Sequence, residues 1–133
     1  MTAVFADTDI VVYAQGSDAH KAQRAIAILE SSPVISTQVI GETVNVLTRK
    51  YGFTLTEGHQ VASSLLDLCD VVPVDTNTIR ESIRLAARYQ LSHWDSLIVA
   101  AALIAECETL YSEDLQHGQV FESRLKVINP FVD

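Results

Sequence analysis

Ala3-Val4-Phe5-Ala6-Asp7-Thr8-Asp9 opens the chain with a short apolar run that ends abruptly in carboxylates. A run too short for a helix and bounded by a polar turn reads as a buried strand. Val34 to Ser36, Val71 to Val74, Thr109 to Tyr111 and Lys126 to Ile128 repeat the pattern. Between them, Ala19 to Glu30, Gln38 to Lys50, Thr56 to Leu68, Thr76 to Tyr89 and Trp94 to Cys107 carry helical spacing. Strands alternating with helices imply right-handed crossovers. The expected fold is therefore α/β, a three-layer α/β/α sandwich around a mainly parallel, roughly five-stranded sheet. Punctuation supports the boundaries: Ser31-Ser32-Pro33 stops one helix, Gly52 follows another as a C-cap candidate, and Asn129-Pro130 closes the last strand.

A length of 133 residues, 48% of them hydrophobic, fits one domain spanning 1–133 that buries its core without disulfides or a structural metal. The longest uncharged apolar run, Leu97 to Ala105, is too short to span a bilayer, and Asp7 interrupts the N-terminus before a signal-peptide core could form. A soluble, cytoplasmic protein with no membrane association is expected. Cys69 and Cys107 are isolated in apolar contexts, which suits buried reduced thiols. The histidines lack zinc-ligand spacing, and the glycines form neither a Walker A loop nor a dinucleotide fingerprint.

Four acids, Asp7, Glu42, Asp95 and Asp114, sit where a strand or helix hands over to the next element. In open α/β sheets the ligand crevice lies beyond the carboxyl ends of the strands. Asp7 and Asp114 follow their strands directly. Glu42 lies about a turn into its helix, on a stripe with Gln38, Asn45 and Arg49 opposite Ile40, Val44 and Leu47. Asp95 opens the most apolar helix, where backbone N–H groups favour an anion. Each acid alone has an ordinary reading. Asp7 and Asp9 could cap a helix, Ser92-x-x-Asp95 matches a capping box, Glu42 fits a solvated face, and Glu113-Asp114 fits a polar loop. Their joint placement instead suggests a cluster of hard oxygen ligands suited to Mg²⁺ or Mn²⁺.

Nine Lys and Arg against seventeen Asp and Glu give a net charge of −8, which opposes nonspecific binding along a nucleic-acid backbone. Setting the four acids aside leaves nine cations against thirteen acids, still −4. Any nucleic acid would have to be held by local patches: Lys21 with Arg24, Arg49 with Lys50, or Arg80, Arg84 and Arg88 on one helix face. Each patch also fits a solvated face.

The local sequences carry a further signal. Ala6-Asp7-Thr8-Asp9-Ile10-Val11-Val12-Tyr13-Ala14, Glu42 within Ser36 to Glu42, Trp94-Asp95-Ser96-Leu97-Ile98-Val99-Ala100-Ala101-Ala102, and Leu110-Tyr111-Ser112-Glu113-Asp114-Leu115-Gln116-His117-Gly118 together resemble the PIN domain family, and within it the VapC-type toxins. The resemblance spans nearly the whole chain, with the motifs in family order. It implies a Mg²⁺-dependent endoribonuclease, the toxin of a type II toxin–antitoxin system, acting on an RNA substrate as a homodimer and restrained by a basic antitoxin protein. It carries over Asp7, Glu42, Asp95 and Asp114 as the site acids and Ser112 as the hydroxyl of the last motif. On that reading Asp7, Asp95 and Asp114 hold the metal, Ser112 orients a water, and Glu42 fixes a second ion or receives a proton. One departure stands out: Asp9 occupies a position where asparagine is usual. It either alters metal occupancy or caps the helix.

Two alternatives share these residues. Asp7-Thr8-Asp9 followed by Ser36 or Thr37 is similar to the opening of haloacid-dehalogenase-type phosphatases, with Asp7 as nucleophile and Asp9 as general acid. The chain is short for that fold, and the Trp94-Asp95 and Glu113-Asp114 segments would go unexplained. A PIN-like binding module that no longer cuts is the other, and the presence of all four acids argues against it.

Overall fold

A computed structural model describes residues 3–132. Six strands, β1 (Val4–Ala6), β2 (Val34–Ser36), β3 (Asp70–Val72), β4 (Thr109–Tyr111), β5 (Val120–Phe121) and β6 (Leu125–Ile128), form one sheet in the order β3-β2-β1-β4-β6-β5. All pairings are parallel except β5 with β6. The helices are α1 (Thr8–Ala14), α2 (Ala19–Glu30), α3 (Thr37–Lys50), α4 (Leu55–Leu68), α5 (Thr76–Tyr89) and α6 (His93–Ile104). The expected mainly parallel α/β architecture is present, with six strands rather than about five.

The extra strand is β5, whose two residues carry no periodic signal. It turns into β6 through Glu122 and Ser123, both in the left-handed region at φ 53° and 56°. Glycine or asparagine normally marks such a turn, and neither is here. Helix α1 also falls outside the five stretches read as helical, being only seven residues long. On α3 the buried stripe is Val39, Thr43 and Leu47. Ile40 and Val44, expected on it, are only partly buried.

Phe5, Ile35, Leu110 and Val127 fill the middle of the sheet and are fully buried. Against the sheet lies α6, buried without interruption from Ser96 to Leu103. A helix that is apolar on every side is stable only inside a core. Its Ala100-Ala101-Ala102 run costs nothing in helix propensity and leaves room for close packing. Cys69 and Cys107 are free and buried, as expected. No helix among the described residues is long and apolar enough to cross a membrane.

Each helix begins with an oxygen that caps its backbone. Asp18, Ser36, Thr54 and Asp75 cap α2, α3, α4 and α5, and Ser92 Oγ accepts the Asp95 N–H at 3.1 Å. At α6 the Asp95 carboxylate makes no return bond among the described residues, so half of the expected capping box forms. That acid stays available to the space outside the helix.

Candidate active site

Strand order reverses at β1, which lies between β2 and β4. This is where an open α/β sheet leaves a crevice. The register pairs Val4, Phe5 and Ala6 with Thr109, Leu110 and Tyr111. One residue further, Asp7 and Ser112 leave the two strands side by side. The Asp7 N–H still donates to the Tyr111 carbonyl at 3.0 Å, and the Ser112 N–H to the Ile128 carbonyl at 3.1 Å. Two residues 105 positions apart in sequence thus meet through plain sheet geometry.

Both oxygens of Asp7 are engaged. Oδ1 accepts the Thr8 N–H at 2.7 Å, which caps α1, and Oδ2 accepts the Ser112 hydroxyl at 2.8 Å. Ser112, fully buried, accepts in turn from the Asp114 and Leu115 N–H groups at 3.2 and 3.3 Å. Asp9, in the first turn of α1, reaches the same loop: its Oδ2 accepts from the Glu113 and Asp114 N–H groups at 2.9 and 3.3 Å. Its Oδ1 is buried and has no hydrogen-bond partner. Asp7, Asp9 and Asp114 bring one carboxylate oxygen each within 4.8 Å of one another.

Glu42 and Asp95 line the same cleft, which encloses about 360 Å³. Glu42 Oε1 accepts the Thr8 hydroxyl at 2.7 Å, so α1 orients it. Asp95 lies outside the tight triplet and acts on it through its charge. All four acids singled out in the sequence therefore face one cleft, while the triplet contains Asp9 where Asp95 was expected.

Burial dominates the electrostatics. It pushes the Asp7 carboxyl up to about 7, against the Ser112 and Thr8 hydrogen bonds, with Asp114 and Glu42 adding repulsion. Asp9 rises to about 8, first through burial and then through the Asp7 charge. Asp114, although exposed, is also raised, first by desolvation on its packed side and then by Asp95 and Glu113. Carboxylates this close cannot all ionise cheaply. A buried acceptor with no donor, beside hard oxygens that resist ionisation, is the arrangement a divalent cation satisfies. The residues present fit such an ion.

A second group braces the loop. Burial pushes the Glu113 carboxyl up, yet hydrogen bonds from Lys21 and Tyr13 outweigh it and hold the group below the usual range. Lys21 Nζ lies 2.8 Å from Glu113 Oε2 and 4.3 Å from the centroid of the Tyr13 ring. Sequence reasoning missed this brace because 92 residues separate Lys21 from Glu113. It also removes Lys21 as a free cation. Arg84 and Arg88 are likewise held by Glu122, so two members of the arginine face serve as ion-pair partners.

The model of the PIN domain family matches residues 4–120. No curated protein matches in sequence. Among solved structures, a toxin–antitoxin complex from Klebsiella pneumoniae superposes with a TM-score of 0.71 at 20% identity, covering 97% of this chain and 98% of that one. VapC20 of Mycobacterium tuberculosis, described as a sarcin–ricin loop cleaving toxin, gives 0.70 at 20% identity over 84% of this chain and 90% of that one. DNA-bound VapBC from Salmonella typhimurium gives 0.68 at 15% identity over 96% and 98%. At these identities the superpositions speak for the fold. The family match, which takes in Asp7, Glu42, Asp95, Ser112 and Asp114, speaks for membership, and the chain belongs to the PIN domain family.

Proposed function

We propose that the protein is a divalent-metal-dependent endoribonuclease and the toxin of a type II toxin–antitoxin pair. The observation that carries this reading is the triplet of Asp7, Asp9 and Asp114, raised in pKa and closed around an unpartnered oxygen at the reversal of the sheet. Family membership and the toxin neighbours support it.

Asp7, Asp9 and Asp114 would hold Mg²⁺, or Mn²⁺ in its place, with Asp95 completing the acidic wall. When bound, the ion supplies charge neutralisation at the scissile phosphate and lowers the pKa of the attacking water. Ser112 fixes Asp7 in one rotamer through Oγ and ties it to the Asp114 backbone. Glu42, aimed by Thr8 across the cleft, is the group that receives the proton of the attacking water. Hydrolysis breaks the phosphorus–oxygen bond to the leaving nucleotide, and water supplies the oxygen that replaces it.

The same acids suit a partner. A guanidinium makes paired hydrogen bonds to carboxylates, so an arginine-rich segment of a basic antitoxin would compete with the metal in this cleft. Exposed apolar side chains on α4 and α5, including Leu66 at 58% and Ile83 at 64%, support self-association as a homodimer.

The test is cleavage of a mixed RNA pool. Cutting should require Mg²⁺ or Mn²⁺ and vanish in Asp7→Asn and Asp95→Asn, whose circular dichroism should stay that of the parent. Full cleavage in EDTA would sink the metal mechanism. Hydrolysis of p-nitrophenyl phosphate dependent on Asp7 and Asp9, with RNA untouched, would move the protein to the phosphatase class.

A further inference from the structure

The cleft has a rim as well as an acidic floor. Trp94 opens α6 beside Asp95 and is 60% exposed, and Tyr51, at the C-terminal end of α3, is 46% exposed. Both line the cleft that holds the carboxylates. The Trp94 backbone is tied down while its ring faces solvent: Gln38 Nε2 donates to the Trp94 carbonyl at 3.2 Å, and the His93 ring packs edge-on at 4.8 Å. Two large, exposed rings at the mouth of a polar cleft offer flat faces to a planar ligand.

Charge makes the same demand. Lys50 is the sole Lys or Arg among the described residues lining the cleft, in a protein of net charge −8. Lys21, Arg84 and Arg88 are engaged by Glu113 and Glu122. Phosphate contacts within the cleft therefore rest on Lys50, and a further source of binding is needed there. Stacking of unpaired bases on aromatic faces is an interaction that needs no basic surface.

Resting on the ribonuclease reading, we infer that Trp94 and Tyr51 form a stacking platform for unpaired bases flanking the scissile phosphate, with Lys50 on the adjoining phosphate. Paired RNA keeps its bases stacked internally and offers the platform no face.

Trp94 is the protein's only tryptophan, so its emission reports the platform directly. The full-length protein in EDTA, and the Asp7→Asn variant with Mg²⁺, are titrated with a single-stranded RNA oligonucleotide, the same sequence as a duplex, and inorganic polyphosphate. Anisotropy of labelled RNA measures binding in parallel. Saturable quenching by the single strand alone is expected. Trp94→Ala should weaken single-strand binding on the order of ten-fold or more, while Trp94→Phe retains most of it. Quenching by duplex or polyphosphate equal to that by the single strand would overturn the inference. So would bound and cleaved RNA that leaves Trp94 emission unchanged, or emission that shifts with protein concentration before RNA is added, which would mean that a second copy covers the ring. RNA that neither binds nor is cut would remove the ribonuclease reading itself, and the platform with it.

Discussion

Replacing Asp9 with asparagine separates charge from shape at the heart of the site. In the Asp9→Asn variant the amide oxygen would still accept the Glu113 and Asp114 N–H groups that Asp9 Oδ2 accepts now. The amide nitrogen would fill the place of Oδ1, which has no donor, and present N–H groups to the neighbouring carboxylates. What disappears is one negative charge that burial and Asp7 make costly. The sign follows from linkage. The folded Asp9 carboxyl binds its proton up to about pH 8, whereas the free side chain releases it near 3.8. The wild-type fold is therefore relatively more stable at low pH and loses that advantage as pH rises through the window from about 4 to about 8. At about 1.36 kcal/mol per pKa unit, with the burden shared between Asp7 and Asp9, the gain from Asp9→Asn is on the order of 2–4 kcal/mol at pH 8 without metal. For a domain of this size that raises Tm by roughly 5–15 °C. Thermal melts in EDTA at pH 8, 6.5 and 5 measure it, and the gain should shrink steadily toward pH 5. Saturating Mn²⁺ should narrow the gap from the other side, because binding to three carboxylates stabilises the wild type more than the variant. A variant no more stable than the parent at pH 8, or a gain independent of pH, would refute the argument that burial and the Asp7 charge make the Asp9 carboxylate costly.

Ser112→Ala removes the hydroxyl that donates to Asp7 and accepts two backbone N–H groups. It should cost about 1–3 kcal/mol in urea melts and weaken Mn²⁺ binding by calorimetry, since Asp7 then holds its proton more tightly. Light scattering at micromolar concentration should give the mass of a dimer, and a clean monomer would remove the self-association proposal. Expression alone should arrest growth, while co-expression with a basic antitoxin should restore it and yield a complex that forms faster at low salt; normal growth of cells overproducing the intact protein would count against the toxin reading.

The alternation of β-branched runs with amphipathic stretches was legible because both periods survive in short windows. The positions of Asp7, Glu42, Asp95 and Asp114 followed, since the ends of parallel strands converge on one edge. What stayed hidden was the pairing of groups far apart in the chain. Asp9 could be read only as a cap or a metal-site departure, because the Glu113 and Asp114 amides that it meets lie over 100 residues away. Lys21 reads as a surface cation until Glu113 and Tyr13 are seen around it. Strand β5 was lost for a different reason. Its turn stands on Glu122 and Ser123 in a conformation their residue types do not advertise.

The Asp7–Ser112 contact sets an order of events for a chain leaving the ribosome. Asp7 emerges first, yet its hydroxyl partner lies 105 residues later, and the strand that anchors Ser112 ends at Ile128. Contacts between such distant positions cannot form until the intervening chain has been made and its loop closed. The cleft is accordingly among the last features to assemble. A product terminated before Ser112 carries Asp7, Glu42 and Asp95 without the loop that gathers them. The order of synthesis thus places completion of the cleft after the strand that ends at Ile128 has been made.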